Sequence, residues 1–223
     1  MSRADASRLL REDLLDGVAI LVACGGATGM ERSYATAVEE LCGELGARVA
    51  SCGAGGAGGG RGGEEQEVAL ELSLDAARGQ LAEIDMLVID AAALFAAAAA
   101  EPAADAGERE MLIGCMQASW NLTRILVTSA FLARTGGERG GRIVYIAPAP
   151  DAGAHAEAAR AGLENLARTL SIEWARYAIT PVTIAPGRAT TAGEVAALTA
   201  YLASPAGAYF SGCLLDLRGP GGR

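Results

Sequence analysis

The sequence predicts an α/β protein. It reads as one domain over residues 1–223, a doubly wound parallel sheet with helices on both faces and a core from residue 14 to residue 219. Three observations carry this. Gly17–Cys24 is an unbroken apolar run ending at glycines, as expected of a strand buried on both faces. An amphipathic stretch and a second short apolar run follow, giving a strand–glycine turn–helix–strand unit. The same alternation then continues to the C-terminal end.

Taken in order, Glu31–Leu45 sets Tyr34, Val38, Leu41, Cys42 and Leu45 on one helical stripe, with Glu39, Glu40 and Glu44 mostly outside it. Gly46 stops that helix, and Ala47–Cys52 is a second strand. Gly53–Gly63 is low-complexity glycine and reads as a flexible loop, because each glycine in a helix costs about 1 kcal/mol against alanine. Leu74–Glu83 reads as a helix and Met86–Ile89 as a third strand. Ala96–Ala106, interrupted by Pro102, reads as loop passing into helix. Arg109–Arg134 is long enough for a major helix with Met111, Leu112, Cys115, Met116, Trp120 and Leu126 as apolar positions. Strand Arg142–Ile146, helix Ala154–Tyr177, strand Thr180–Ile184, helix Glu194–Ala203 and strand Cys213–Asp216 complete the pattern.

Composition narrows the function classes. A 223-residue chain can bury a sizeable core, and with only 4% aromatic residues that core is built from Ala, Leu, Val and Ile. A net charge of -9 argues against a nucleic-acid or anionic-membrane surface, since like charges repel. Cys24, Cys42, Cys52, Cys115 and Cys213 include no C-x-x-C pair and read as reduced, buried thiols, with no metal site. Met1–Asp16 is studded with charges and does not read as a signal peptide. The apolar stretch Met86–Ala100 contains Asp90 and is too short to span a bilayer. The expectation is a soluble cytoplasmic protein.

Several motifs have a recognisable spacing. Cys24-Gly25-Gly26-Ala27-Thr28-Gly29-Met30-Glu31 follows the first strand, Ile89-Asp90-Ala91-Ala92 ends the third, and Gly140–Pro148 leads into Ala156–Leu166 and then Pro186-Gly187. Over nearly the whole chain this series resembles the short-chain dehydrogenase/reductase family, whose fold is Rossmann-like. The family's first motif, T-G-x-x-x-G-[IL]-G, lets the backbone approach a pyrophosphate at a helix N-terminus. Here Gly25, Gly26 and Gly29 mark a vestigial loop in which the last glycine of the motif is Glu31, a carboxylate that suits the helix dipole and repels a pyrophosphate. Glu31 reads as a substitute for the ligand's charge. After the second strand, Ser51–Ala54 offers neither an acid for a ribose hydroxyl nor an arginine for its phosphate.

The resemblance also locates the catalytic positions. The family uses a tyrosine to transfer a proton, a lysine four residues on to lower its pKa and hold the ribose, a serine to orient the carbonyl, and an asparagine as relay. These positions hold Ala156, Arg160, Ala147 (or Pro148) and Cys115 respectively. The mobile segment that closes over substrate in the family is cut to Arg188–Gly193. Conversely, the closing segment through Asp216 and the two long helices, which form the family's subunit interfaces, are retained, with Trp120 and Trp174 on those helices as candidate anchors.

Other chemistry-bearing residues have plain readings beside functional ones. His155, the sole histidine, reads as a displaced acid/base, since free imidazoles titrate at about 6.5, or as a solvent-exposed loop or helix-start residue. Tyr145 either projects toward the old site or packs in its strand. Asp151 and Glu157 form a possible acid/base pair, or favour a helix start through the dipole. Asp90 offers a cation one ligand with no second in view.

The expectation is therefore a catalytically inactive subunit that binds neither NAD nor NADP itself. It assembles with an active NAD(P)-dependent homologue, in an arrangement of the hydroxybenzylsuccinyl-CoA dehydrogenase type, or otherwise with itself. The alternatives are an oxidoreductase with a rearranged site using Tyr145 or His155, and a small-ligand-binding protein without chemistry.

Overall fold

The computed structural model describes residues 10–25, 33–53, 63–81, 83–100, 108–132 and 140–219. Six strands form one sheet in the order β2-β1-β3-β4-β5-β6, every pair parallel. They are β1 (Ala19–Cys24), β2 (Arg48–Gly53), β3 (Met86–Asp90), β4 (Arg142–Ile146), β5 (Thr180–Ala185) and β6 (Leu214–Asp216). This is the Rossmann-like α/β architecture expected from the sequence. Each apolar run predicted to be a strand is one, shifted by no more than two residues at either end.

Helices α1 (Tyr34–Glu44), α2 (Gly63–Gln80), α3 (Ala91–Ala100), α4 (Glu108–Leu126), α5 (Ala156–Glu173) and α6 (Ala192–Ala203) connect the strands. Period-two alternation sorts the strand side chains between two layers. Ala19, Leu21 and Ala23 join the cluster under α2, α3, α4 and α5, whereas Ile20 and Val22 join the one under α1 and α6. The order reverses at β1, with β2 on one side and β3 on the other. The crevice outside the carboxyl ends of β1 and β3 is thus the topological switch point.

Helix boundaries differ more from the sequence expectation: α5 is Ala156–Glu173, shorter at both ends than the expected Ala154–Tyr177, and four others are instructive. The first helix begins at Tyr34, because Ser33 accepts from Thr36 N and caps it; Glu31 lies outside the described residues. The second extends back to Gly63, eleven residues earlier than its apolar positions indicate. Of the glycine run, Gly53 closes β2, Gly63 opens α2, and residues 54–62 lie outside the described residues. Third, the chain enters α3 directly after β3, with no loop in between. Fourth, α4 gives way at Val127–Phe131 to a π turn, in which Leu132 N donates to Val127 O. That turn brings the Phe131 ring against Gly141, where a Cβ would collide with it.

The last helix shows how local chemistry sets a boundary. Thr191 and Glu194 form a reciprocal capping box, starting α6 at Ala192 and not at Glu194. At its other end, the Arg142 guanidinium donates to the carbonyls of Leu202, Ala203 and Ser204, neutralising the negative end of the helix dipole. Thr191→Ala should cost about 1 kcal/mol of stability, read as a shift of the urea midpoint at unchanged slope.

No helix among the described residues is long and apolar enough to cross a membrane.

Candidate functional site

The carboxyl ends of the strands hold the positions singled out in the sequence. The decisive element there is α3. Gly25, the first residue after β1, lies beneath it: a Cβ at Gly25 would stand 2.9 Å from Ala93 O and 3.2 Å from the Ala97 Cβ. The glycine expected to admit a pyrophosphate thus admits a turn of the protein's own helix. Gly26, Gly29 and Glu31 lie outside the described residues.

Why α3 starts where it does is written in Asp90. Its carboxylate is 1% exposed; Ala93 N donates to Oδ1 at 2.9 Å and Ala35 N to Oδ2 at 3.0 Å. These are first-turn amides of α3 and α1, so one side chain satisfies orphan donors of two helices and places negative charge at both positive dipole ends. Burial pushes the Asp90 pKa up, and the amide hydrogen bonds from Ala93, Ala35 and Ala92 pull against it. Asp90 thus supplies an anion at the heads of both helices, and its two oxygens serve amides rather than a cation. The residue type at a strand end was visible in sequence; its partners were not.

From this start α3 carries Phe95 across the crevice. Phe95 is 1% exposed, and its Cε1 lies 3.6 Å from where a Gly153 Cβ would stand, in the loop between β4 and α5. Cys115, Ala147 and Ala156 belong to the same continuous apolar cluster as Phe95 and Leu94, each of the three at most 1% exposed. The structure thus brings together three of the four positions that the resemblance marks as catalytic, packed and dry. The Cys115 thiol, pushed up to about 12 by burial, faces Ala91 O at 3.4 Å.

Arg160, at the lysine position, behaves differently. It is 4% exposed, and Nη1 donates to Pro148 O and Pro186 O, both at 2.7 Å. It thereby ties the ends of β4 and β5 together. Burial lowers its pKa, with Glu157 opposing.

The remaining candidates disperse. Tyr145 points away from the crevice into the core: its hydroxyl is 2.9 Å from Thr123 Oγ1 on α4, and burial pushes its pKa up. Of the two proton donors that the rearranged-site alternative names, Tyr145 is thus enclosed in the core and His155 is not. His155 is exposed and precedes α5 with a left-handed φ of 64°. Asp151 and Glu157 serve different arginines, Asp151 near Arg188 at 3.7 Å and Glu157 near Arg160 at 3.6 Å, so they form no acid/base pair. Among the described residues no group of three His, Cys, Asp or Glu side chains gathers to hold a metal.

The shortened segment after β5 is a latched turn. Gly187 N donates to Thr190 Oγ1 at 2.8 Å, Thr190 Oγ1 donates to Leu217 O at 3.3 Å, and a Cβ at Gly187 would approach the Arg218 Cα to 3.1 Å. The Thr190 hydroxyl thus closes the turn on itself and links it to the residue after β6.

Comparison with known proteins bears on the whole of this architecture. No family model matches the sequence, and no curated protein matches it. Solved structures match almost end to end. A short-chain dehydrogenase/reductase from Serratia marcescens carrying F98A/F202L is 22% identical, with a TM-score of 0.66 over 92% of this chain and 97% of that one. The fold is that of a short-chain dehydrogenase/reductase. The 3-ketoacyl-(acyl-carrier-protein) reductase from Brucella melitensis, complexed with NADH, is 18% identical with a TM-score of 0.67 over 91% and 97% of the two chains. BdcA (YjgI) from E. coli is 19% identical with a TM-score of 0.59 over 92% and 100%. At these identities the likeness is one of fold.

Proposed function

We propose that this chain is a member of the short-chain dehydrogenase/reductase family that has lost its chemistry, and that it acts as a structural or regulatory subunit beside an active NAD(P)-dependent homologue. The observation that carries the reading is the self-filled crevice. Phe95 and Leu94 of α3 lie buried in one apolar cluster with Cys115, Ala147 and Ala156, and Gly25 is backed by the α3 backbone. A dinucleotide laid along this crevice would have to displace a packed apolar helix, and no proton donor waits beneath it.

Assembly is supported by what the helices leave uncovered. On α4, Trp120 is 40% and Ile113 38% exposed, and on α5 Ile172 is 76% exposed. Tyr209, in the turn after α6, is 91% exposed. Large apolar side chains on the outer faces of long helices are suited to docking a partner. Trp174, the other candidate anchor, packs half-buried against the core instead.

Two measurements test the reading. Titration calorimetry with NADH and NADPH at millimolar concentration should show no binding; tight binding by the isolated chain would restore enzyme status. Native mass spectrometry after co-expression with an active short-chain dehydrogenase of the same organism should show a mixed oligomer. A stable homomer that ignores every such partner would overturn the subunit role.

A further inference from the structure

We propose that Arg160 anchors a binding site for a small oxyanion, a carboxylate or a phosphate, at the carboxyl ends of β4 and β5. The argument begins with an incomplete set of partners. Nη1 is fully used by Pro148 O and Pro186 O. Nε stands 3.6 Å from Glu157 Oε2, an ion-pair separation too long for a hydrogen bond. Nη2 is buried and has no hydrogen-bond partner among the described residues. A guanidinium cannot shed its proton to relieve this, so the unpaired donor keeps its charge and its two N–H groups. Native structures rarely bury such a group without an ion or water to receive it.

The charge balance favours an ion over a water. Other cations at this end of the sheet have their own carboxylates: Arg218 holds Asp216 at 2.6 Å, and Arg188 lies 3.7 Å from Asp151. Glu157, the acid nearest to Arg160, is 60% exposed and approaches Nε only. A water would accept one N–H and leave the compensation to the exposed Glu157 alone, whereas an oxyanion supplies both an acceptor and a buried counter-charge. Size limits the ligand, because α3 fills the neighbouring crevice over β1 and β3. The inference goes beyond the subunit role and does not depend on it.

The test uses the full chain at constant pH and ionic strength, with chloride replaced by acetate in one arm and by inorganic phosphate in the other. The thermal midpoint should rise in one arm and saturate, by about 3–6 °C at ten times the dissociation constant. The arm that responds identifies the oxyanion. Guanidinium NMR signals of Arg160 should shift along the same titration. Arg160→Met should abolish the response. Because that variant also unties β4 from β5, Glu157→Gln serves as the second probe: it removes the exposed carboxylate 3.6 Å from Arg160 Nε, so folding should be unchanged and the apparent affinity several-fold tighter. No saturable response in either arm would overturn the proposal, as would a response that persists undiminished in Arg160→Met or that leaves the Arg160 signals unmoved.

Discussion

Phe95→Ala should lower the stability of the folded chain by about 4 kcal/mol, the loss typical of truncating a fully buried aromatic ring. The ring belongs to one buried cluster with Cys115 from α4, Ala147 after β4 and Ala156 at the start of α5, and it lies beside Gly153 in the loop between the last two. These belong to different elements held by the sheet, so the site cannot collapse to fill the cavity. In urea the midpoint should fall at nearly constant slope, and Phe95→Leu should recover more than half of the loss. Opening the crevice in this way should still give no NADH binding, because the α3 backbone continues to cover Gly25. A loss below 1 kcal/mol would show that the ring does not seal the crevice.

The second large effect concerns Asp90. Removing its carboxylate in Asp90→Ala leaves first-turn amides of α1 and α3 without acceptors in a buried position, a cost of about 3 kcal/mol. For a chain of this length that is a fall in thermal midpoint of about 6–12 °C. The pH dependence has a definite sign. Burial raises the folded-state pKa of Asp90 above the ordinary value of 3.8, so the native state binds its proton more tightly than the unfolded chain does. The stability this contributes is fully present below 3.8 and is lost as pH rises through the folded-state value. The gap between the parent chain and Asp90→Ala should therefore widen as pH falls from the folded-state value to 3.8, and stay constant above it. A gap that narrows on acidification would show the amide hydrogen bonds to outweigh burial.

These two residues also show where sequence reading succeeds and where it stops. Asp90 is conspicuous as an acid ending an apolar strand, and the resemblance placed it at the cofactor crevice. Its partners are 3 and 55 residues away, one of them at the head of a helix on the other side of the sheet. Nothing local encodes that second distance. Phe95 is one aromatic in a run of alanines whose apolar character is nearly uniform around the helix, so no face could be assigned to it. Ala96–Ala106 reads as loop passing into helix for the same reason: periodicity carries no signal where nearly every position is small and apolar.

The strands, by contrast, were legible to within two residues. A fully buried parallel strand must be continuously apolar, and the breaks between such runs fall where glycine or charge interrupts them. Cys115, Ala147, Ala156 and Arg160 were likewise assigned in sequence to the positions of a family site. Their identities are local facts. Whether they face solvent, a ligand or each other depends on which element lies across the strand ends. Helix α3 decides that, through a strand-end carboxylate that holds two helix starts and a ring that reaches the far side of the crevice. Local patterning is set by how neighbouring side chains meet water, so it can be read along the chain. The filling of a crevice is set by packing between elements distant in sequence, and that emerges only in three dimensions.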